Sequence, residues 1–268
     1  MGETTNTIAT KTPLVMAEKA CQALMKTFHP EELPPAKSFH YHQGVFLYGM
    51  YRVYQETGKR EYFDYIKGYF DCLIDEYGNL CFARDELDST MAGILLFPLY
   101  EETKDPRYMI AAKRLRSALD TLNRTSENGF WHKEKYPYQM WLDGLFMGGP
   151  FMVLYSQHFH EEELIQTVLL QEKLMRKHMT DDKTGLLYHA WDEKKVQPWA
   201  NAETGCSPEF WGRSLGWYGT ALIDLLEFLG DRKRGQEQLI SSLQNFIPAI
   251  ANFQDDKTGL WYQIVDKG

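Results

Sequence analysis

The sequence holds no run of about 18 apolar residues, so no membrane-spanning helix is expected among its 268 residues. Its start, MGETTNTIATKTPLVMAEKACQALMK, lacks the charged-then-apolar order of a secretory signal. Cysteine is scarce. Cys21, Cys72, Cys81 and Cys206 are scattered without CxxC spacing, which argues against a disulfide framework or a zinc site and for buried free thiols. A cytoplasmic protein is therefore expected. Positive charge is also short, with 29 Lys and Arg against 37 Asp and Glu for a net charge of -8. Nucleic acid and anionic membranes both demand concentrated Lys and Arg, so neither is an expected partner. GxSxG, P-loop, GxGxxG and HExxH motifs are all missing, which removes support for a serine hydrolase, a nucleotide hydrolase, a dinucleotide enzyme and a zinc protease. His40 and His42 resemble a metal pair only weakly, and the DDKTG turns lack the ligand spacing of a calcium-binding loop. Neither a metal nor a cofactor is expected.

Aromatic residues are plentiful instead, at 14% with seven Trp and sixteen Tyr. Such density serves a core, and it also serves as stacking platforms for sugar rings, whose C–H faces pack on aromatic faces. With 44% hydrophobic residues the chain can bury one large core. Residues 1–11 read as a loose tail and 12–268 as one domain. Thr12-Pro13 and Asp105-Pro106 each read as a cap followed by a first helical position. Helical spacing predicts further helices over 42–56, 60–76, 87–103, 142–158, 161–178, 209–229 and 233–252, with brief strands at most between them.

The turns between helices repeat. EYGNLCFARDE, SENGFWHKEK, DDKTGLLYHAWDE and DDKTGLWYQIVD each combine a polar turn, a glycine and an aromatic or apolar run. Two helices separate successive glycines, the signature of stacked helical hairpins. The inner members look the more apolar, as in MAGILLFPLY and LFMGGPFMVLY, which favours an all-α toroid of inner helices sheathed by outer ones. The expected helices make about four and a half hairpins, so the reading prefers a ring that lacks its last hairpins in this chain.

If every turn leads into an inner helix, equivalent positions face one mouth of the ring. This collects Tyr41, His42, Asp88, Asp143, Trp211, Arg213 and Trp217 at helix starts, and His132, Lys133, His189 and Trp191 in the turns. The stretch YQMWLDGLFMGGP places Asp143 beside Trp141, Phe146 and Met147. Paired carboxylates with aromatic walls suggest acid–base work on a carbohydrate, and the cationic set of Arg213, Lys133 and two potentially charged histidines suggests a small anionic oligosaccharide. Each residue also has an ordinary explanation: a helix-start Asp, an Arg paired with a neighbouring acid, tryptophans in the core.

The motifs FARDELDSTMAG, WHKEKYPYQMWLDGLFMGGPFM, GLLYHAWD and EFWGRSLGWY, in this order, resemble the unsaturated rhamnogalacturonyl hydrolases over most of the chain. The resemblance implies an (α/α)6 barrel and hydrolysis of unsaturated galacturonyl-rhamnose disaccharides. It implies Asp143 as proton donor and Asp88 as second carboxylate. Tyr41, His132, Lys133, Trp141, His189, Trp211, Arg213 and Trp217 become the sugar-contacting residues. The implied reaction is hydration of a C4=C5 vinyl ether. A sister family acts on unsaturated glucuronyl units of glycosaminoglycans, and that substrate, a binding toroid without catalysis and an α/α-barrel epimerase remain open alternatives. A helix start favours the ionised form of Asp143, whereas burial and Asp88 favour the neutral form; the second pair is expected to win.

Overall fold

Local signals account for most helix limits in the computed structural model, which describes residues 12–81, 83, 86–232 and 235–268. The expected tail, 1–11, lies outside them. The helices are α1 (Pro13–Thr27), α2 (Tyr41–Thr57), α3 (Arg60–Leu73), α4 (Leu87–Thr90), α5 (Leu96–Thr103), α6 (Pro106–Thr121), α7 (Asp143–Phe159), α8 (Glu163–Met179), α9 (Gly212–Leu229) and α10 (Gln236–Ala251). Thr12 Oγ1 accepts from the Val15 amide at 3.3 Å at the head of α1, and Asp105 accepts from Arg107 at 3.0 Å at the head of α6. Both caps satisfy amides that the helix itself leaves unpaired. Gly58, at φ 66°, closes α2 in the left-handed region that glycine enters without strain.

Besides the later starts of α9, at Gly212 rather than 209, and of α10, at Gln236 against an expected 233 that lies outside the described residues, two expected helices differ. The third ends at Leu73 rather than near Glu76, because Ile74 leaves it in extended geometry to bridge Leu80 across the turn. The fourth is not continuous over 87–103: Met91–Leu95 tightens into a 3-10 turn between α4 and α5. Tertiary packing explains this break. A Cβ on Gly93 would meet Leu115 at 2.7 Å and Phe151 at 2.9 Å, and one on Gly44 would meet the Ala92 backbone at 2.8 Å. The stretch is clamped between α2, α6 and α7 with no room for side chains at the contact.

Elements α2, 87–103, α7 and α9 pack successively as an inner arc, while α1, α3, α6, α8 and α10 flank it outside. Helix α7 is the centre of this arc and is buried on almost every face, from Asp143 through Val153 without interruption. The repeated turns share one hydrogen-bond plan. The Asp181 amide donates to Leu186 O and the Asp255 amide to Leu260 O, at 2.8 and 2.9 Å, and the Thr184 and Thr258 amides donate to the side chains of the leading aspartates. In the SENGF turn the left-handed residue is Asn128, φ 70°, rather than Gly129. The brief strands expected between helices include β1 (Gln139–Trp141) and β2 (Ala190–Asp192), which pair antiparallel with Trp141 opposite Ala190. No helix among the described residues is long and apolar enough to cross a membrane. The four cysteines are all free, but only Cys21 and Cys206 are buried; Cys72 is exposed and Cys81 half-buried, which corrects the expectation that all four are buried.

Candidate active site

Asp88 is the second residue of α4 and only 3% exposed. Its Oδ2 receives the Lys133 ammonium and lies 3.5 Å from His40 Nε2, while Oδ1 faces His132 Nε2 at 3.6 Å. Glu86, just before the helix, shares two of these partners, at 3.3 Å from His40 Nε2 and 3.6 Å from Lys133 Nζ. Burial alone would raise the Asp88 pKa. Hydrogen bonds from His40 and Lys133 and the influence of His132 outweigh it, and the carboxyl is held down at about 2. Atoms of His40, Glu86 and Asp88 lie within 4.8 Å of one another, a spacing that could suit a metal ion. Lys133 already brings its own positive charge to both carboxylates of that set.

Asp143 opens α7 and is 8% exposed. Burial pushes its pKa up to about 6, against its own backbone amide and the more distant Arg213 and Lys133, and the negative charge of Asp88 pushes the same way. The tension between helix start and burial is thus decided by burial, as expected. Its Oδ2 faces His189 Nδ1 at 3.5 Å, and neither atom has a closer partner among the described residues. Gly144 lets this end of α7 approach α4 closely: a Cβ there would meet Leu87 Cδ1 at 3.2 Å and His132 Nδ1 at 3.8 Å. The two carboxylates therefore share one mouth. Asp88 Oδ1, His132 Nδ1, Asp143 Oδ2 and His189 Nδ1 are all buried without hydrogen-bond partners among the described residues. Orphaned buried polar atoms are rare in folded proteins, and four together suit a polar ligand.

Aromatic rings wall this mouth. Trp141 stacks between His132 and Tyr136, at 4.6 and 4.7 Å with interplanar angles of 16° and 17°, and tilts against His189 at 4.9 Å. Trp211 meets His189 edge-on at 4.8 Å, Tyr41 meets Trp217 edge-on at 6.2 Å, and Trp217 stacks on Phe146 at 4.8 Å. Trp191, by contrast, is 5% exposed and stacks on His178 at 4.1 Å, which makes it a packing residue. Arg213 is exposed, with its guanidinium over the Trp211 ring at 4.0 Å.

Two expectations change in this setting. His132 and His189 are not cationic at neutral pH, because burial depresses both to about 4. Lys133 is engaged by Asp88 and Glu86, whereas the Arg213 guanidinium lies over the Trp211 ring. Sequence reasoning did not put Glu86 or His40 in the site. Glu86 stands two residues before Asp88 in DELD, and His40 directly precedes Tyr41, so adjacency to an already selected residue was the available signal.

Residues 16–268 match Glycosyl Hydrolase Family 88. The chain belongs to that family. The unsaturated rhamnogalacturonyl hydrolase YesR of Bacillus subtilis (strain 168) is 27% identical to this family 88 chain over 229 residues, which is 83% of the chain. The alignment spans 63% of YesR, so the chain covers less than two thirds of that relative's length. A family 105 glycoside hydrolase of C. acetobutylicum ATCC 824 superposes with a TM-score of 0.88 at 37% identity, over 96% of this chain and 70% of that one. The unsaturated glucuronyl hydrolase of Bacillus sp. GL1 shares the fold, with a TM-score of 0.62 at 13% identity over 86% of this chain and 61% of that one. The family 88 chain is thus a member of the α/α-toroid glycoside hydrolases by sequence and by fold.

Proposed function

We propose that the chain carries the catalytic centre of a hydrolase that removes the unsaturated galacturonyl residue from rhamnogalacturonan-derived disaccharides. The observation that carries this reading is the opposite shift in acidity of two carboxylates in one mouth, Asp143 moved up to about 6 and Asp88 down to about 2. Environments that drive two acids apart assign one as proton donor and the other as fixed negative charge. The similarity to YesR supports the rhamnogalacturonyl substrate.

In this reading the substrate is a vinyl ether, with its C4=C5 double bond conjugated to the carboxylate and attached to the ring oxygen. Asp143 gives its proton to C4, and positive charge develops at C5 and the ring oxygen. Ionised Asp88 lies close enough to favour that charge. Water adds at C5 and returns its proton to the Asp143 carboxylate, and the resulting hemiketal opens and expels the rhamnose. Asp143 thus ends as it began. Arg213 meets the uronate carboxylate, and Trp141, Trp211, Trp217 and Tyr41 hold the sugar faces. Residues 12–268 are read as belonging to one α/α-barrel catalytic domain. The four free thiols support a reducing, cytoplasmic compartment.

Turnover in heavy water tests the chemistry. Loss of the enuronate absorbance should be accompanied by one deuterium on C4 of the released sugar acid, and product without it refutes protonation at carbon. kcat/KM should be higher on unsaturated galacturonyl-rhamnose than on unsaturated glucuronyl disaccharides of glycosaminoglycans; the reverse order reassigns the substrate.

A further inference from the structure

His40 sits at the N-cap of α2, outside the set of residues assigned to sugar contact, yet both of its ring nitrogens are engaged at the centre of the site. Nε2 points between Glu86 Oε1 and Asp88 Oδ2, at 3.3 and 3.5 Å. Nδ1 lies 2.8 Å from His42 Nδ1. Two ring nitrogens at that distance require one donor and one acceptor. A carboxylate can only accept, so Nε2 carries hydrogen. The remaining choice lies at Nδ1, and two negative carboxylates on the other side of the ring favour a second proton there. His40 then donates from both nitrogens, and His42 accepts at Nδ1.

We propose that His40 is a positioning residue for Asp88, a cationic imidazole that fixes the carboxylate in its ionised orientation and is itself held by His42. The inference rests on the hydrolase reading above. Among the described residues, the charged or titratable neighbours are Glu86 and Asp88 from the start of α4, Lys133 and His132 from the turn before β1, Tyr41 and His42 from α2, and Tyr69 of α3 beside the His40 backbone. Counted as formal charges, Lys133 and His40 balance Glu86 and Asp88, while neutral His132 adds nothing. Burial works against a charged His40, but the attraction of the Asp88 and Glu86 carboxylates facing Nε2 prevails and raises its pKa. His42 shifts the other way, through partial burial and the adjacent His40 charge, as the accepting partner must. The ring of His40 also stacks on His42 at 4.9 Å and packs against Tyr41 at 4.7 Å, so its plane is fixed as well.

His40→Leu removes charge and donors together, whereas His40→Gln keeps an amide donor at the reach of Nε2. The leucine variant should lose about 10- to 100-fold in kcat with KM nearly unchanged, because the residue acts through Asp88 and not on the sugar. The acid limb of its pH profile should move upward by about one unit or more as Asp88 loses a cationic neighbour. The glutamine variant should recover part of kcat, most at the alkaline end. A rise confined to KM, or a wild-type acid limb in both variants, overturns the proposal. The carboxyl signal of Asp88, followed by carbon NMR against pH in the free protein, gives an answer without turnover. Its midpoint should rise in either variant that remains folded, and an unmoved midpoint refutes the role even where wild-type protein turns over no unsaturated disaccharide. That last result alone refutes the hydrolase reading.

Discussion

Asp88 and Asp143 occupy equivalent places in successive hairpins, each in the first turn of an inner helix and each nearly sealed from solvent, yet their acidities move apart. Burial raises both. The difference lies in what lines each pocket: Asp88 faces Lys133, His40 and His132, whereas Asp143 faces the neutral imidazole of His189. Helix-start geometry, common to the two, does not decide protonation. The partners brought by the turns do.

The largest effect should come from removing the donor. Asp143→Asn should lower kcat by about 10²- to 10⁴-fold, the range typical of a general acid, with folding intact by circular dichroism. Turnover within tenfold of wild type would mean that the contrast between the two acids has no part in the chemistry.

Stability should respond in opposite directions. The folded pKa of Asp143 is raised from 3.8 to about 6, so its ionisation weakens the fold as pH climbs through that range. Asp88 is lowered from 3.8 to about 2, so its contribution is complete above the unfolded value and disappears as pH falls toward 2. Each shift corresponds to about 2–3 kcal/mol. In urea titrations at pH 8, Asp143→Asn should therefore be stabilised by about that amount, and Asp88→Asn destabilised by at least as much because Lys133 loses its nearest acceptor. At pH 4 the gain from Asp143→Asn should vanish. Two losses of equal size at pH 8 would erase the comparison.

A subtler mark should appear in the pH profile. With Asp143 required as acid and Asp88 as base form, kcat/KM should stay level from about pH 4 and fall as pH rises through about 6, its acid limb lying near the Asp88 value of about 2. Measurement over pH 4–8 tests this, and activity increasing across that span would reverse the two roles.

Much of the scaffold was legible from short-range signals. Thr12-Pro13 and Asp105-Pro106 state their own helix starts, and the repeated glycine turns reveal the hairpin period. The break at Met91–Leu95 was not legible, since it depends on Gly44 and Gly93 meeting residues far away in sequence. The same limit applies around the carboxylates. Periodicity brings Asp88 and Asp143 to one rim, but the charge of a histidine depends on its burial, which the sequence does not display; hence His132 and His189 read as cations there and are neutral in the fold. Glu86 looks like one more solvated acid in RDELD until His40 and Lys133 are seen against it.

The β1–β2 pairing ties the two halves of the Asp143 environment together. Trp141 pairs with Ala190, and the next amide, Leu142, donates to the His189 carbonyl at 3.1 Å. Asp143 directly follows the donating Leu142 and His189 supplies the accepting carbonyl, so acid and facing imidazole hang from one short ladder. Thermal opening of that ladder would release both at once, and amide exchange at Leu142 would time it. Asp143 and His189 would in this sense open as one cooperative unit, timed by a few backbone bonds.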